Sequence, residues 1–357
     1  MPKEHPPAPS ARPSAVAGGR SAPDPRSLVD LFRGKGPALI LAHRNPDPDA
    51  LGSASGMIHI LRTAVGIDAT FAMNGDIYRA ENREMVEQCR IEYVPFSKID
   101  VATYRSAVLV DTQPGFGHTE VPEGVPILAV VDHHEGADGW AAGIPFYDVR
   151  RGYGATSTVV FEYLQALGIE PPTEVATALL CGLRFDTADL GRNASEADER
   201  AYERLLRRAD RAAYARIKSP PLPSPYFYEL RRALAVARVH GPVLLAFLGK
   251  ISNPDMVAEM ADLFLRHRET SWSLVGGLYE GTYYLSLRTD LPDKDAYPML
   301  REVLDGEGTC GGHGRIAGGR IPVPEGAEDA IFALQRRLRA RALDLARQPK
   351  RGGRRLA

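Results

Sequence analysis

Four short apolar runs recur through the first half of the chain: PALILA (37–42), ATFAM (69–73), SAVLV (106–110) and PILAVV (126–131). Each is free of charge and of strand length, as expected for a sheet covered on both faces. Between the first two, Leu51, Ala54, Ile58, Leu61 and Val65 recur at helical spacing, and Gly66 follows as a stop. Asp49 is placed to cap that helix. Strands alternating with helices over residues 28–190 predict an α/β domain with an open, mostly parallel sheet and helices on both faces.

The pattern then changes. NASEADERAYERLLRRADRAAYARIKS reads as a charged helix and PPLPSP breaks it, so residues 191–225 are expected to form a helical connector. A smaller mixed α/β domain is expected over 226–346. It begins with the strand PVLLAFLG and the helix NPDMVAEMADLFLRH, with Asn253 as N-cap. SWSLVGGLYEGTYYLSLRTD reads as a hairpin turning at Glu280–Gly281. A helix near 295–304, a glycine-rich segment and a helix over about 327–346 complete the domain. The Pro-, Ala-, Ser- and Gly-rich residues 1–27 read as a disordered leader, and 347–357 as a basic tail.

Composition narrows the partners. The 357 residues suffice for two hydrophobic cores. A formal charge of −1 provides no basic excess, so no long duplex nucleic acid is expected and any nucleic-acid partner should be short. Cys89, Cys181 and Cys310 lie far apart without CxxC pairing, which excludes a disulfide framework and suits a reducing, cytoplasmic setting. No apolar run approaches the roughly 20 residues that span a bilayer, so no membrane partner is expected.

The candidate chemistry lies where the strands end. The first strand runs into His43, Asp47 and Asp49, the third into Asp111, and the fourth into Asp132, His133 and His134. Asp186 closes the apolar helical stretch EVATALLCGLRF. Ligands of open parallel sheets bind beyond the carboxyl ends of the strands. Pro46 and Pro48 disfavour helix at Asn45 and Asp47, and an extended segment would let Asp47 and Asp49 aim at one place. Four gathered aspartates would oppose one another's ionisation, and two divalent cations would neutralise them. Oxygen donors with imidazoles and no thiolate suit Mn²⁺ or Mg²⁺, with Fe²⁺, Co²⁺ and Zn²⁺ as alternatives. The implied reaction is attack of activated water on phosphorus.

In that order, HRNPDPDALGS, LVDT (109–112), VDHHE (131–135) and GLRFDT (182–187) resemble the four motifs of the DHH phosphoesterase superfamily. GTCGGHGRIAGG (308–319) resembles the glycine–histidine signature of the DHH-associated C-terminal domain, although Cys310 and Ile316 replace a glycine and an alanine of its usual pattern. The layout is most similar to the nanoRNase and pAp-phosphatase type. The resemblance implies that His43, Asp47 and Asp111 hold one ion. Asp49, Asp111, His133 and Asp186 would hold a second, with Asp111 bridging. It makes His134 the group facing the substrate phosphate or leaving group, with Asp132 orienting an imidazole. Arg288, Gly311, Gly312 and His313 become the substrate-binding candidates.

The activity so implied is metal-dependent hydrolysis of phosphoesters, with Mn²⁺ first and Mg²⁺ or Co²⁺ as alternatives, in a cleft between the domains. The implied substrates are oligoribonucleotides of two to five residues, pAp or linear dinucleotides. The same core also serves inorganic pyrophosphatases, exopolyphosphatases and single-strand exonucleases. A non-catalytic nucleotide sensor would be expected to lack some ligands, and none is missing. A homodimer is compatible with all of these readings.

Overall fold

The computed structural model describes residues 22–116, 119–136, 142–324, 328–349 and 352–357, apart from the side chains of His313, Glu328 and Asp329. Two compact units divide the chain at Lys218, and the short segment Tyr78–Arg83 clusters with the second.

The first unit contains α1 (Pro25–Phe32), β1 (Ala38–Leu41), α2 (Pro48–Ile60), β2 (Ala69–Met73) and α3 (Ala80–Gln88), whose first residues belong to the Tyr78–Arg83 segment. It continues with β3 (Val94–Pro95), β4 (Ser106–Val110), β5 (Ile127–Asp132), β6 (Phe146–Val149), α4 (Thr156–Ala166), α5 (Thr173–Thr187), α6 (Glu196–Arg208) and α7 (Arg211–Lys218). Its strands form one sheet in the order β3-β2-β1-β4-β5-β6, and every pair is parallel. The four apolar runs are therefore β1, β2, β4 and β5; the short β3 and β6 carry no comparable signal. Strand order reverses between β1 and β4, and the crevice at such a switch point is where loops from neighbouring strands converge.

The two faces of this sheet are covered differently. Ile40, Phe71, Val108 and Val131 share a core with Leu51, Met57, Val160 and Leu179 from the helices. On the other face, Leu39, Leu41, Leu109 and Val130 pack against Phe96, Ile99, Val101 and Tyr104, in and beside two short 3₁₀ turns. Packing also moves the expected boundaries. Ala201, Leu205 and Ile217 lie in the first core, so α6 and α7 are part of this unit and not a free connector. Pro25–Phe32 is helical, capped by Asp24 accepting the Arg26 N–H at 2.9 Å, so the last residues of the expected leader are ordered. Residues 1–21 lie outside the described part of the chain.

The second unit contains α8 (Ser224–Val236), β7 (Arg238–His240), β8 (Val243–Lys250), α9 (Met256–Leu265), β9 (Trp272–Tyr279), β10 (Thr282–Thr289), α10 (Ala296–Leu304), β11 (Thr309–His313), β12 (Ile316–Pro322), α11 (Glu328–Leu345) and β13 (Arg354–Arg355). Its sheet runs β11-β12-β10-β9-β8-β7-β13. The β8–β9 pair is parallel and the others antiparallel, so the sheet is mixed. The β9–β10 hairpin turns at Glu280 and Gly281, whose φ values of 43° and 72° suit a two-residue turn. Asn253 lies ahead of α9 and accepts the Met256 N–H at 3.2 Å. The glycine-rich segment is a second hairpin, β11–β12, and part of the basic tail pairs with β7 as β13. Among the described residues no helix is long and apolar enough to cross a membrane.

Candidate metal centre

The loop after β1 is stiffened before any ion is considered. Asn45 takes a left-handed φ of 55°, not the extended form that Pro46 suggested. Asparagine tolerates that region, and Pro46 chiefly disfavours the right-handed helix. The turn is held by the Asn45 N–H on Asn74 O (2.9 Å) and by Asn45 Oδ1 accepting the Asp76 N–H (3.0 Å). Asp47 is extended (φ −87°, ψ −179°) and caps α2, accepting from the N–H groups of Asp49 (2.9 Å) and Ala50 (3.1 Å). The cap is thus Asp47 and not Asp49, because Pro48 occupies the first helical position and draws the helix start forward. Asp49 then lies inside the first turn, completely buried. Its carboxylate accepts the N–H groups of Thr156 (2.7 Å) and Ser157 (2.9 Å) at the start of α4, where a helix favours negative charge.

Asp111 is the junction of the site. It follows β4 with a left-handed φ of 56° and is 1% exposed. One carboxylate oxygen, Oδ2, lies 3.6 Å from His43 Nε2, which is 3.7 Å from Asp47 Oδ1. The other, Oδ1, lies 3.6 Å from His133 Nε2 and accepts the Thr156 hydroxyl at 3.0 Å. His133 Nε2 is in turn 3.1 Å from Asp186 Oδ2 and 3.9 Å from Asp49 Oδ2. Two donor sets result, His43/Asp47/Asp111 and Asp49/Asp111/His133/Asp186, with the atoms of each set within 4.8 Å of one another. Donors around one ion at about 2.1 Å lie roughly 3–4 Å apart, so both sets are of a size to hold a divalent cation.

Two buried atoms support the same fit. Among the described residues, Asp111 Oδ2 and His133 Nε2 are buried and meet only the imidazole–carboxylate contacts just given, and an ion in each set would complete their pairing. A third grouping joins Asp111, His133 and His134, but His134 Nδ1 is engaged by Asp132 Oδ1 at 2.9 Å. His133 Nδ1 faces Tyr153 O at 3.2 Å, which leaves its Nε2 to the cluster.

The charges are mutually perturbed. Burial, reinforced by the repulsion of Asp111 and Asp186, holds the Asp49 carboxyl well above its ordinary range. Burial and the nearby Asp47 push Asp186 up to about 6. For His43 burial acts downward, but hydrogen bonding to Asp111 and Asp47 outweighs it and raises the imidazole well above its usual value. His133 behaves likewise beside Asp186 and Asp111. Without cations, protons shared between imidazole and carboxylate balance the cluster; divalent ions would displace them.

Several supports were not visible in the motifs. Thr156 and Ser157 belong to a segment, GATSTVV, with no ligand-like signal. Gly182 of α5 makes room for Asp49, since a Cβ there would lie 2.9 Å from both Asp49 Cα and Asp49 Oδ1. Gly52 plays the matching part on α2, 2.6 Å from Ala178 O by the same measure. Asp198 of α6 binds Gly154 N at 2.8 Å and Ser195 N at 2.7 Å, tying α6 to the start of α4. Arg192 donates to the Asp186 carbonyl at 2.9 and 3.2 Å.

The C-terminal candidates sit in the second unit. Arg288, expected to face a substrate, is 8% exposed, and its Nε donates to Asp262 Oδ1 at 2.7 Å. Gly312 has φ 145°, and a Cβ there would lie 2.3 Å from Ile316 O, so the hairpin itself demands this glycine. Among the described residues, nothing lies within 4 Å of a Cβ placed on Gly311. Cys310 packs against the core of that unit. The His313 side chain lies outside the described residues.

Comparison with known proteins agrees with this architecture. The chain is 33% identical over 291 residues to an uncharacterized protein of Methanocaldococcus jannaschii, a match covering 81% of this chain and 59% of the relative. It is 31% identical over 161 residues to a probable manganese-dependent inorganic pyrophosphatase of Streptococcus suis, covering 42% of this chain and 48% of the relative. It therefore spans about half of these relatives' length. The fold resembles the crystal structure of an exopolyphosphatase-related protein from Bacteroides fragilis, with a TM-score of 0.73 at 15% identity over 90% of this chain and 97% of that one. Residues 37–183 match the model of the DHH family, N-terminal domain.

Proposed function

We propose that the chain is a divalent-metal-dependent phosphohydrolase acting on phosphoesters of short nucleotides. The observation that carries this reading is the double use of Asp111, whose two oxygens face His43 in one donor set and His133 in the other. A pair of divalent cations, Mn²⁺ first and Mg²⁺ or Co²⁺ as alternatives, would supply charge neutralisation and water activation. His43, Asp47 and Asp111 would hold one, and Asp49, Asp111, His133 and Asp186 the other. The Streptococcus suis relative, a probable manganese-dependent enzyme by name, supports that choice of metal.

The chain's own residues supply the rest. Asp132 fixes His134 through Nδ1, and the imidazole so oriented would exchange a proton with a substrate or leaving group. Thr156 and Ser157 keep the Asp49 carboxylate from turning. Within the second unit, the Gly311 backbone and Arg288 are the candidates for nucleotide binding. Oligoribonucleotides of two to five residues, pAp and linear dinucleotides are the substrates in keeping with that arrangement.

A second reading, hydrolysis of pyrophosphate or polyphosphate, is favoured by the name of the Streptococcus suis relative, whose match covers 42% of this chain. Incubation with Mn²⁺ and, separately, a diribonucleotide, pAp, a linear dinucleotide, pyrophosphate and tripolyphosphate separates the two. Release of mononucleotide or phosphate from the nucleotides is expected. Turnover of pyrophosphate or tripolyphosphate alone would replace the first reading by the second.

A further inference from the structure

Gln113 stands two residues beyond Asp111 and is 1% exposed. Its Nε2 donates to Asp132 Oδ2 at 2.7 Å and to His134 O at 3.0 Å, while its Oε1 accepts from the Tyr147 hydroxyl at 2.8 Å. The orientation of the amide follows from its partners. A carboxylate and a carbonyl only accept, so both require the NH₂ end, and the carbonyl end is left to Tyr147. The amide is also boxed in, since a Cβ at Gly136 would lie 2.1 Å from Gln113 Oε1.

Asp132 is fully buried, and this contact completes its pairing. Its Oδ1 accepts from the His133 N–H at 2.8 Å and meets His134 Nδ1 at 2.9 Å. Only Oδ2 remained, and Gln113 takes it. Turning the carboxylate would break bonds on both oxygens at once, so its plane, and with it the His134 ring, has one setting.

We propose that Gln113, braced by Tyr147, is a positioning residue that acts through Asp132 to hold His134 by Nδ1. This keeps Nδ1 on Asp132 and out of the metal-donor set. The two adjacent histidines are thereby given different tasks, His133 toward the ions and His134 toward the reacting phosphate. The inference rests on the phosphohydrolase reading above for its catalytic consequence, but not for the imidazole geometry.

The test uses Gln113→Leu and Tyr147→Phe in the full chain. With the best substrate of the panel, Gln113→Leu should lower kcat by about 10-fold or more, with KM and the number of bound Mn²⁺ ions unchanged. Tyr147→Phe should shift kcat in the same direction by less, and it serves if the leucine variant folds poorly. In an Asp132→Asn background, Gln113→Leu should add little, because the two act as one unit. Independently of turnover, the His134 Nδ1–H resonance of ¹⁵N-histidine-labelled, Mg²⁺-loaded protein should move or broaden in both variants. An unmoved resonance overturns the proposal. A wild type that hydrolyses nothing, combined with a moved resonance, removes the phosphohydrolase reading and leaves the positioning role standing.

Discussion

The carboxylate of Asp47 accepts the backbone N–H of Asp49 at 2.9 Å. Two candidate ligands, two residues apart, are thus locked to each other while facing different donor sets. Asp47 stays outside the helix as its cap, and Asp49 enters the first turn, reaching the start of α4.

This double duty of Asp47 separates two effects by substitution. Asparagine caps as well as aspartate, so Asp47→Asn should leave the melting temperature of the metal-free protein nearly unchanged and weaken Mn²⁺ binding. Asp47→Ala should show the same binding loss and an additional destabilisation of about 1 kcal/mol. Thermal melts with EDTA and Mn²⁺ titrations check both. Equal melting temperatures for the two variants would count against the capping role.

Asp111 faces both sets, so its loss should not be confined to one. Asp111→Asn retains a residue that tolerates the left-handed φ of 56°. Calorimetric titration should show both Mn²⁺ sites weakened together, and kcat should fall roughly 1000-fold, about 4 kcal/mol of transition-state stabilisation. Retention of one site at full affinity would contradict the shared arrangement.

The perturbed groups set a sign for pH. Asp186 is pushed up to about 6, Asp49 lies well above its ordinary value, and His43 and His133 are raised as well. A group raised by folding binds its proton more tightly in the folded state. Its contribution to stability is therefore complete below the unfolded value and is lost as pH rises through the folded one. For Asp186 that loss spans about pH 4 to 6; for the histidines it lies above about 6.5. Asp47 and Asp132 are lowered, and their contribution is lost as pH falls below about 4. The metal-free protein should thus melt at progressively lower temperature as pH rises from about 5 to 8. Mn²⁺ binding should tighten over the same range with release of protons. Parallel melts with EDTA and Mn²⁺ measure it, and identical pH slopes in the two series would refute it.

Gly182 provides a packing test. A Cβ there would lie 2.3 Å from Ser157 Oγ and 2.9 Å from the Asp49 backbone. Gly182→Ala should destabilise the protein by about 1–3 kcal/mol and weaken metal binding, since relief requires moving Asp49. Gly143, with nothing within 4 Å of an added Cβ among the described residues, is the control. A silent Gly182→Ala would mean that α2 and α5 have room to separate.

The parts legible in the chain are those that repeat locally. The apolar runs 38–41, 69–73, 106–110 and 127–131 are strands because no charge interrupts them, and burial on both faces is what such runs satisfy. The β9–β10 turn was readable from a glycine between two alternating segments. Ligand-type side chains stood out because His43, Asp47, Asp49, Asp111, His133 and Asp186 fall at or soon after the end of an apolar stretch.

Other features have no local period to betray them. Two-residue β3, four-residue β6 and the glycine-rich β11–β12 hairpin exist because neighbouring strands offer open edges. Assignment of α6 and α7 to the first unit depends on Leu205 and Ile217 meeting a core built far earlier in the chain. The supports of the site are of the same kind. Asp49 meets Thr156 N across 107 residues, Asp111 meets Thr156 Oγ1 across 45, and Gln113 meets Asp132 across 19. Side-chain chemistry and periodicity are written along the chain and select which groups can act. Hydrogen bonds satisfied at a distance exist only once the chain has closed on itself, and they decide which oxygen, which nitrogen and which cap each group becomes.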